Sequence, residues 1–242
     1  MNTIRLVSNE WELIVDLSGG RIVSLKNKDK FVLGTFQRID GKTGNTHLCA
    51  PNFAEEGMEK YKLPFHGPFR NSEWSLVNNS ETGLEISCLN DGLEIRQIFS
   101  LNFSFEHKII VENKGEVGKP LNMAIHNYWE TELGWRGIKL NGFDLTEGIK
   151  TNNSISVKQL NVIDIPGKDV LNWQLEGFNY AKLWTGFIED GGCKMFDQSY
   201  ACVEPLMEKD ENYFGGDSSI LDPGEKIEFK QSLWVNKKEL LL

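Results

Sequence analysis

Few side chains in this sequence can exchange a proton near neutral pH. There are four histidines, His47, His66, His107 and His126, and imidazole is the side chain whose ordinary pKa falls in that range. His66 sits in "PFHGPFR" (64–70), framed by two prolines, with glycine behind it and Arg70 close by. His126 sits in "LNMAIHNYWE" (121–130). If that stretch is a strand, Asn122, Ala124, His126 and Tyr128 share one face, and Met123, Ile125, Asn127 and Trp129 share the other. The first face is polar enough to be the floor of a ligand site; a core histidine hydrogen-bonded to a neighbour fits the same pattern. His107 falls among Phe103, Phe105, Ile109 and Val111 and reads as a satisfied core or rim histidine. His47 has only its position in a long loop to mark it.

Glu204 stands in the apolar run "YACVEPL" (200–206). A glutamate is rarely buried without a partner. The proline behind it favours extended backbone, and proline within a strand implies an edge or rim. A rim carboxylate aimed into a cleft suits a general base; an edge glutamate facing solvent is the plain alternative. Trp129, Trp135, Trp184 and Tyr128 are aromatic surfaces on which a sugar ring could stack, and each is equally a core residue by type. Other chemistries lack their residues. There is no Gly-rich phosphate loop, HExxH or GxSxG motif, and no two histidines stand two residues apart as a strand-borne metal site would want. The adjacent carboxylates of "AEEG" (54–57) would face opposite ways on a strand, so they form a weak catalytic pair. No metal or cofactor is expected.

The elements that must position these groups are strands. In "WELIVDL", Trp11, Leu13, Val15 and Leu17 alternate with polar residues, and "SGG" then turns the chain. Leu84, Ile86 and Cys88 share a face, Asn90-Asp91-Gly92 signals a hairpin, and Leu93, Ile95, Gln97 and Phe99 follow on one face. Phe103 to Val111 continues the alternation, and Ile227, Phe229 and Leu233 carry it near the C-terminal end. No stretch of ten or more residues has helical periodicity with caps at both ends. Two regions break the pattern, 41–73 and 207–219, and long ordered loops in compact domains are often functional. The expectation is an all-β chain, one domain over residues 1–242, with two large antiparallel sheets face to face.

Composition bounds the partners. With 242 residues, 40% of them apolar, a core can form without disulfides or metal. A net charge of −9 with no basic stripe argues against nucleic acid. No apolar run nears the ~20 residues needed to cross a bilayer, and the first ten residues lack the apolar segment of a signal peptide. Cys49, Cys88, Cys193 and Cys202 lack CxxC spacing and read as reduced, buried thiols, which fits the cytoplasm. Oligomeric state stays open.

Taken together, "LPFHGPFRNSEW", "AIHNYW" and "YACVEP", in that order on an all-β chain, resemble the aldose 1-epimerase (galactose mutarotase-like) family. "GGRIVSLKNKDKFVLG" is similar to the family's N-terminal strands and "LDPGEKIEFKQSLWV" to its closing hairpin. The resemblance implies a large antiparallel β-sandwich, the galactose mutarotase-like supersandwich, with a small-molecule sugar on its concave face and no cofactor. It implies that Glu204 takes the O1 proton of a sugar while His126, as imidazolium, protonates the ring oxygen, and that His66 hydrogen-bonds sugar oxygens. Arg70 would orient the sugar or bind a phosphate. The chain departs from the family in three places. Asn52 in "CAPNFAEEG" has no arginine beside it, Asn179 in "EGFNYAKLW" stands where a sugar-binding aspartate is expected, and Leu206 follows the Glu-Pro where tryptophan is common. Asn52, Asn179 and Trp129 are thus the candidate substrate contacts beside Arg70. A non-catalytic carbohydrate-binding or regulatory protein, and a hexose-6-phosphate mutarotase, are the alternatives on the same scaffold. The latter needs Arg70 to converge with Lys60, Lys62 or Arg38.

Overall fold

The structure is a computed structural model that describes residues 2–53, 61–209 and 220–236. The Glu55–Glu56 pair, Lys60 and most of the 207–219 region lie outside the described residues.

The alternating segments are strands. Trp11–Asp16 buries Trp11, Leu13 and Val15 and leaves the residues between them half-exposed. Leu93–Leu101 buries every second side chain in the same way. Asn90 leads into a tight hairpin in which Asp91 and Gly92 both have positive φ, 45° and 77°, matching the Asp-Gly signal. Phe103 departs from expectation. It lies at the tip between Leu93–Leu101 and Phe105–Asn113 and is 91% exposed, because the alternation there is interrupted by the turn.

These strands form two large antiparallel sheets, of eleven and nine strands. The larger runs in the order Thr3–Ser8, Trp11–Asp16, Arg21–Asn27, Lys30–Gln37, Tyr128–Glu130, Tyr200–Leu206, Ala124–His126, His47–Cys49. Tyr180–Trp184 pairs along the other side of Tyr200–Leu206. The smaller sheet centres on Leu171–Glu176, Lys226–Val235, Phe105–Asn113 and Leu93–Leu101. Their facing sides share one apolar core, with Leu13, Leu33, Trp129 and Val203 from the larger sheet against Phe105, Ile109, Trp173 and Phe229 from the smaller. Region 41–73 is not a plain loop: it carries the strands Thr43–Asn45 and His47–Cys49 and a 3-10 turn at Phe69–Asn71. No helix among the described residues is long and apolar enough to cross a membrane.

One polar thread runs through this core. Asn127 Nδ2 donates to Gln231 Oε1 (2.9 Å), Gln231 Nε2 to His107 Nδ1 (3.4 Å), His107 Nε2 to Gln97 Oε1 (2.9 Å), and Gln97 Nε2 to the Gly20 carbonyl (3.0 Å). These four bonds run in one direction, with Gln231 Nε2 also reaching back to Asn127 Oδ1 at 3.5 Å, and the run works only while His107 is neutral and its Nδ1 accepts. Burial holds its pKa down to about 3. Between that value and the ~6.5 of an unfolded histidine, the unfolded chain binds more protons, so stability is lost as pH falls. We expect the melting temperature to drop from pH 7 toward pH 4, with His107 contributing on the order of 1 kcal/mol per pH unit. Replacing it by glutamine removes the titration, so His107→Gln should show a shallower slope over that range; an unchanged slope would mean that His107 takes up its proton equally in the folded and unfolded states.

Candidate active site

The local sequence breaks one strand at a telling place. Ala124–His126 and Tyr128–Glu130 are halves of a single strand interrupted at Asn127, whose N–H turns back to the Ile125 carbonyl (2.9 Å) while its side chain joins the core thread. On one side Ala124 pairs with Leu206; on the other Tyr128 pairs with Cys202. Positions 203–205 face the gap, and Pro205, which has no N–H to give a ladder, falls there. The Val203 carbonyl instead accepts a hydrogen bond from Trp129 Nε1 (3.1 Å).

This register sets a row of polar groups across the outward face of the larger sheet. His47 is opposite His126, and Lys182 is opposite Glu204. His126 and Glu204 meet across the gap, with Nδ1 and Oε2 3.5 Å apart. The His47 ring lies 5.0 Å from the His126 ring, and Tyr128 stacks on the other side of His126 at 4.7 Å. His66 approaches edge-on at 5.2 Å. It is held in a turn where His66 and Gly67 have φ of 64° and 74° and the Gly67 N–H bonds to the Pro64 carbonyl (2.8 Å). A side chain at 67 would run into the Ala50 carbonyl, so glycine is required.

Burial governs the charge of these rings. Desolvation lowers His47 to about 3 and His66 to about 2, and it pushes His126 well below the ordinary histidine value. The neighbouring rings and the Arg70 guanidinium push the same way. His47 Nδ1 donates to the Asn45 carbonyl (2.5 Å), which leaves the Nε2 lone pair facing inward. His47 Nε2, His66 Nδ1 and His126 Nδ1 are buried with no hydrogen-bond partner among the described residues. Around this centre, Arg38 lies over the Trp184 ring at 4.8 Å, and Arg21 donates twice to the Arg70 carbonyl (3.2 and 2.7 Å). Cys202 is on the same strand and face as Glu204. His126, Cys202 and Glu204 are the group among the described residues whose ligand atoms could meet on one metal ion.

Several expectations need correcting. Glu204 is not on an edge: its strand has neighbours on both sides and the residue is 1% exposed. The proline that suggested an edge is accommodated by the gap at Asn127. Trp129 is not a sugar platform; it faces the other sheet, 0% exposed, edge-on to Trp173 at 5.4 Å. Asn52 is buried and its Nδ2 donates to the Pro64 carbonyl (3.0 Å), bracing the His66 turn. Asn179 is exposed and its side chain donates to the Met207 carbonyl (3.1 Å), just past the Glu204 strand. Lys62 is exposed. Cys193 is exposed, while Cys49, Cys88 and Cys202 are buried free thiols. The residues the sequence reading passed over are His47, Tyr128 as a ring partner, Cys202 and Arg21. The two-residue spacing of Cys202 and Glu204 on a strand was the available signal; His47 and Arg21 reach the site only through long-range pairing.

No protein-family model matches the sequence, and no curated protein matches it. Solved structures do. A galactose mutarotase related enzyme from Lactobacillus acidophilus superposes with a TM-score of 0.75 at 14% identity, covering 97% of both chains. The chain has the galactose mutarotase-like fold. A galactose mutarotase-like protein from Lactobacillus casei gives a TM-score of 0.73 at 11% identity, covering 97% of this chain and 100% of that one. An aldose epimerase homologue from C. elegans gives 0.59 at 11%, covering 97% and 98%. At these identities the likeness is one of fold, and on this galactose mutarotase-like scaffold the row of His47, His126, Glu204 and Lys182 lies on the outward face of the larger sheet.

The Trp129 placement is directly testable. Trp129→Ala should destabilise the fold by about 3–5 kcal/mol, the usual cost of emptying a core tryptophan site, as read from urea unfolding. A stable variant that has lost only sugar binding would put Trp129 back among the ligand contacts.

Proposed function

We propose that the chain is a cofactor-free aldose 1-epimerase, an isomerase that interconverts the α and β anomers of an aldose by acid–base ring opening. The observation that carries this reading is the buried His126–Glu204 pair, 3.5 Å apart, with His66 edge-on beside it. Anomer exchange consumes no net proton: one group must take the O1 proton while another gives a proton to O5, and both steps reverse on closure. Glu204 is the base. With Nδ1 turned to Glu204, His126 presents Nε2 to the sugar and is the acid, and His66 supports the ring oxygen. Arg70 orients the substrate beside them. The competent state therefore has His126 protonated and Glu204 ionised, a state that burial of the ring makes scarce in the free protein.

A second reading concerns the substrate's charge. The Arg70 field reaches His47, His66 and His126, and Arg21 sits against Arg70. That pairing favours a sugar carrying a phosphate or carboxylate. Cytoplasmic location fits either substrate.

Freshly dissolved aldoses, free and 6-phosphorylated, followed by optical rotation or anomeric NMR signals, test the proposal. Wild type should speed relaxation of at least one, and Glu204→Gln and His126→Asn should each slow it by about 10²–10⁴-fold, the usual share of a positioned acid or base. If no sugar relaxes faster with wild type, a binding protein on the same scaffold takes its place. If Glu204→Gln is as fast as wild type, the base is misassigned.

The pH profile has a definite sign. The imidazolium is populated only below a pKa that itself lies below 6.5, and kcat/KM reports the free enzyme. After subtraction of the uncatalysed rate, kcat/KM should fall about tenfold per pH unit across the neutral range. A rate that rises with pH there would exclude His126 as the acid.

A further inference from the structure

The outward face of the larger sheet holds more lone pairs than acid–base chemistry uses. His126, Cys202 and Glu204 come from two neighbouring strands, all three are buried, and their ligand atoms lie within 4.8 Å of one another. We propose that these three residues form a binding site for a divalent transition-metal ion of the zinc class.

The donor set suits such an ion: one imidazole, one thiolate and one carboxylate are the ligands that zinc and cobalt take. Tetrahedral bonds of about 2.0–2.3 Å put neighbouring ligand atoms about 3.3–3.8 Å apart. His126 Nδ1 and Glu204 Oε2 are already at 3.5 Å. Cys202 Sγ lies within 4.8 Å of both, so any shift it needs to reach that spacing is at most about 1.5 Å, within the reach of a side-chain rotation. An independent observation points the same way. His126 is 6% exposed and its Nδ1, the atom facing Glu204, is buried without a hydrogen-bond partner among the described residues. A buried neutral imidazole with an unused nitrogen is ready to coordinate without first losing a proton.

Charge also balances. Binding breaks the Cys202 S–H bond, forms a sulfur–metal bond and sends the proton to solvent. The thiolate and carboxylate together neutralise a divalent ion. Burial, reinforced by the Glu204 carboxylate and only partly opposed by Arg38, pushes the Cys202 thiol well above its ordinary value, so its proton leaves only as the metal binds. His66, whose Nδ1 is also buried without a partner among the described residues, stands 5.2 Å from the His126 ring. If the proposed epimerase reading holds, metal and sugar compete, because both use His126 and Glu204; that consequence alone rests on the reading.

Cobalt(II) supplies the test, in a Cys193→Ser background that removes the exposed thiol. One equivalent should produce a thiolate-to-cobalt charge-transfer band in the near ultraviolet with tetrahedral bands in the visible, and zinc should displace it. Cys202→Ser should abolish the charge-transfer band, and His126→Ala and Glu204→Gln should each weaken binding at least about tenfold. Circular dichroism checks that each variant is folded. Absence of the band at cobalt excess overturns the site, as does a band that survives Cys202→Ser, or affinity untouched by His126→Ala and Glu204→Gln. The readout needs no sugar. Cobalt binding without mutarotation would sink the epimerase reading and leave the metal site standing; mutarotation without cobalt binding would do the reverse.

Discussion

The hydrogen-bond thread from Asn127 through Gln231, His107 and Gln97 to Gly20 holds the two sheets in one alignment. Apolar packing is tolerant of sliding; a buried polar chain is not, since each donor left unpaired costs its full desolvation. The thread begins at the residue after His126 and ends at the residue before Arg21. Both ends therefore adjoin outward-facing groups of the larger sheet. Trp173 Nε1 also donates to Gln231 Oε1 (3.2 Å), so the thread is anchored at Gln231 by a buried tryptophan of the smaller sheet.

From that anchor the rest follows by register. With Asn127 pulled toward the core, its strand cannot pair continuously, and the gap opposite Val203 and Pro205 appears. His126 and Glu204 then face each other across a place with no ladder bonds, which brings their side chains together. Trp129 closes the core side of the gap through its bond to Val203. Tyr128 N–H finds the Thr46 hydroxyl (3.0 Å) in place of a ladder carbonyl. Two backbone groups that the strand break frees, the Tyr128 N–H and the Val203 carbonyl, thus find side-chain partners.

Much of the fold was legible in the sequence because strand periodicity is local. Trp11, Leu13 and Val15, or Ile95, Gln97 and Phe99, declare their face within a few residues, and the structure buries them together. The two faces of 121–130 were legible for the same reason, which put Trp129 opposite His126 even as its type suggested a sugar platform. What escaped was non-local. Nothing near His47 says that it will pair with His126, 79 positions on by the numbering of that pair. Pro205 read as an edge signal because a proline's effect depends on which neighbour its missing N–H faces, and that depends on the break at Asn127. Cys193 looked buried from its apolar surroundings, yet it lies just after the turn between Phe187–Asp190 and Cys193–Phe196.

The site's electrostatics are a compromise that the fold imposes. Stacking His47, His66 and His126 in one dry cluster forces all three toward neutrality, since a second imidazolium would face the first at ring-contact distance. Arginines on both flanks reinforce that. Such a cluster has many lone pairs and few protons, so it is better prepared to accept a hydrogen bond or a metal than to give a proton away. In the proposed reaction, proton donation would then depend on Glu204, whose carboxylate stands next to a ring nitrogen of His126. A carboxylate at 3.5 Å stabilises the charged ring, and it does so most strongly when a ligand excludes water and lowers the local dielectric. In the proposed reaction, filling the site would move His126 from its resting neutral form toward the form that can act as an acid. The pair, not either residue, is therefore the unit on which any chemistry here depends.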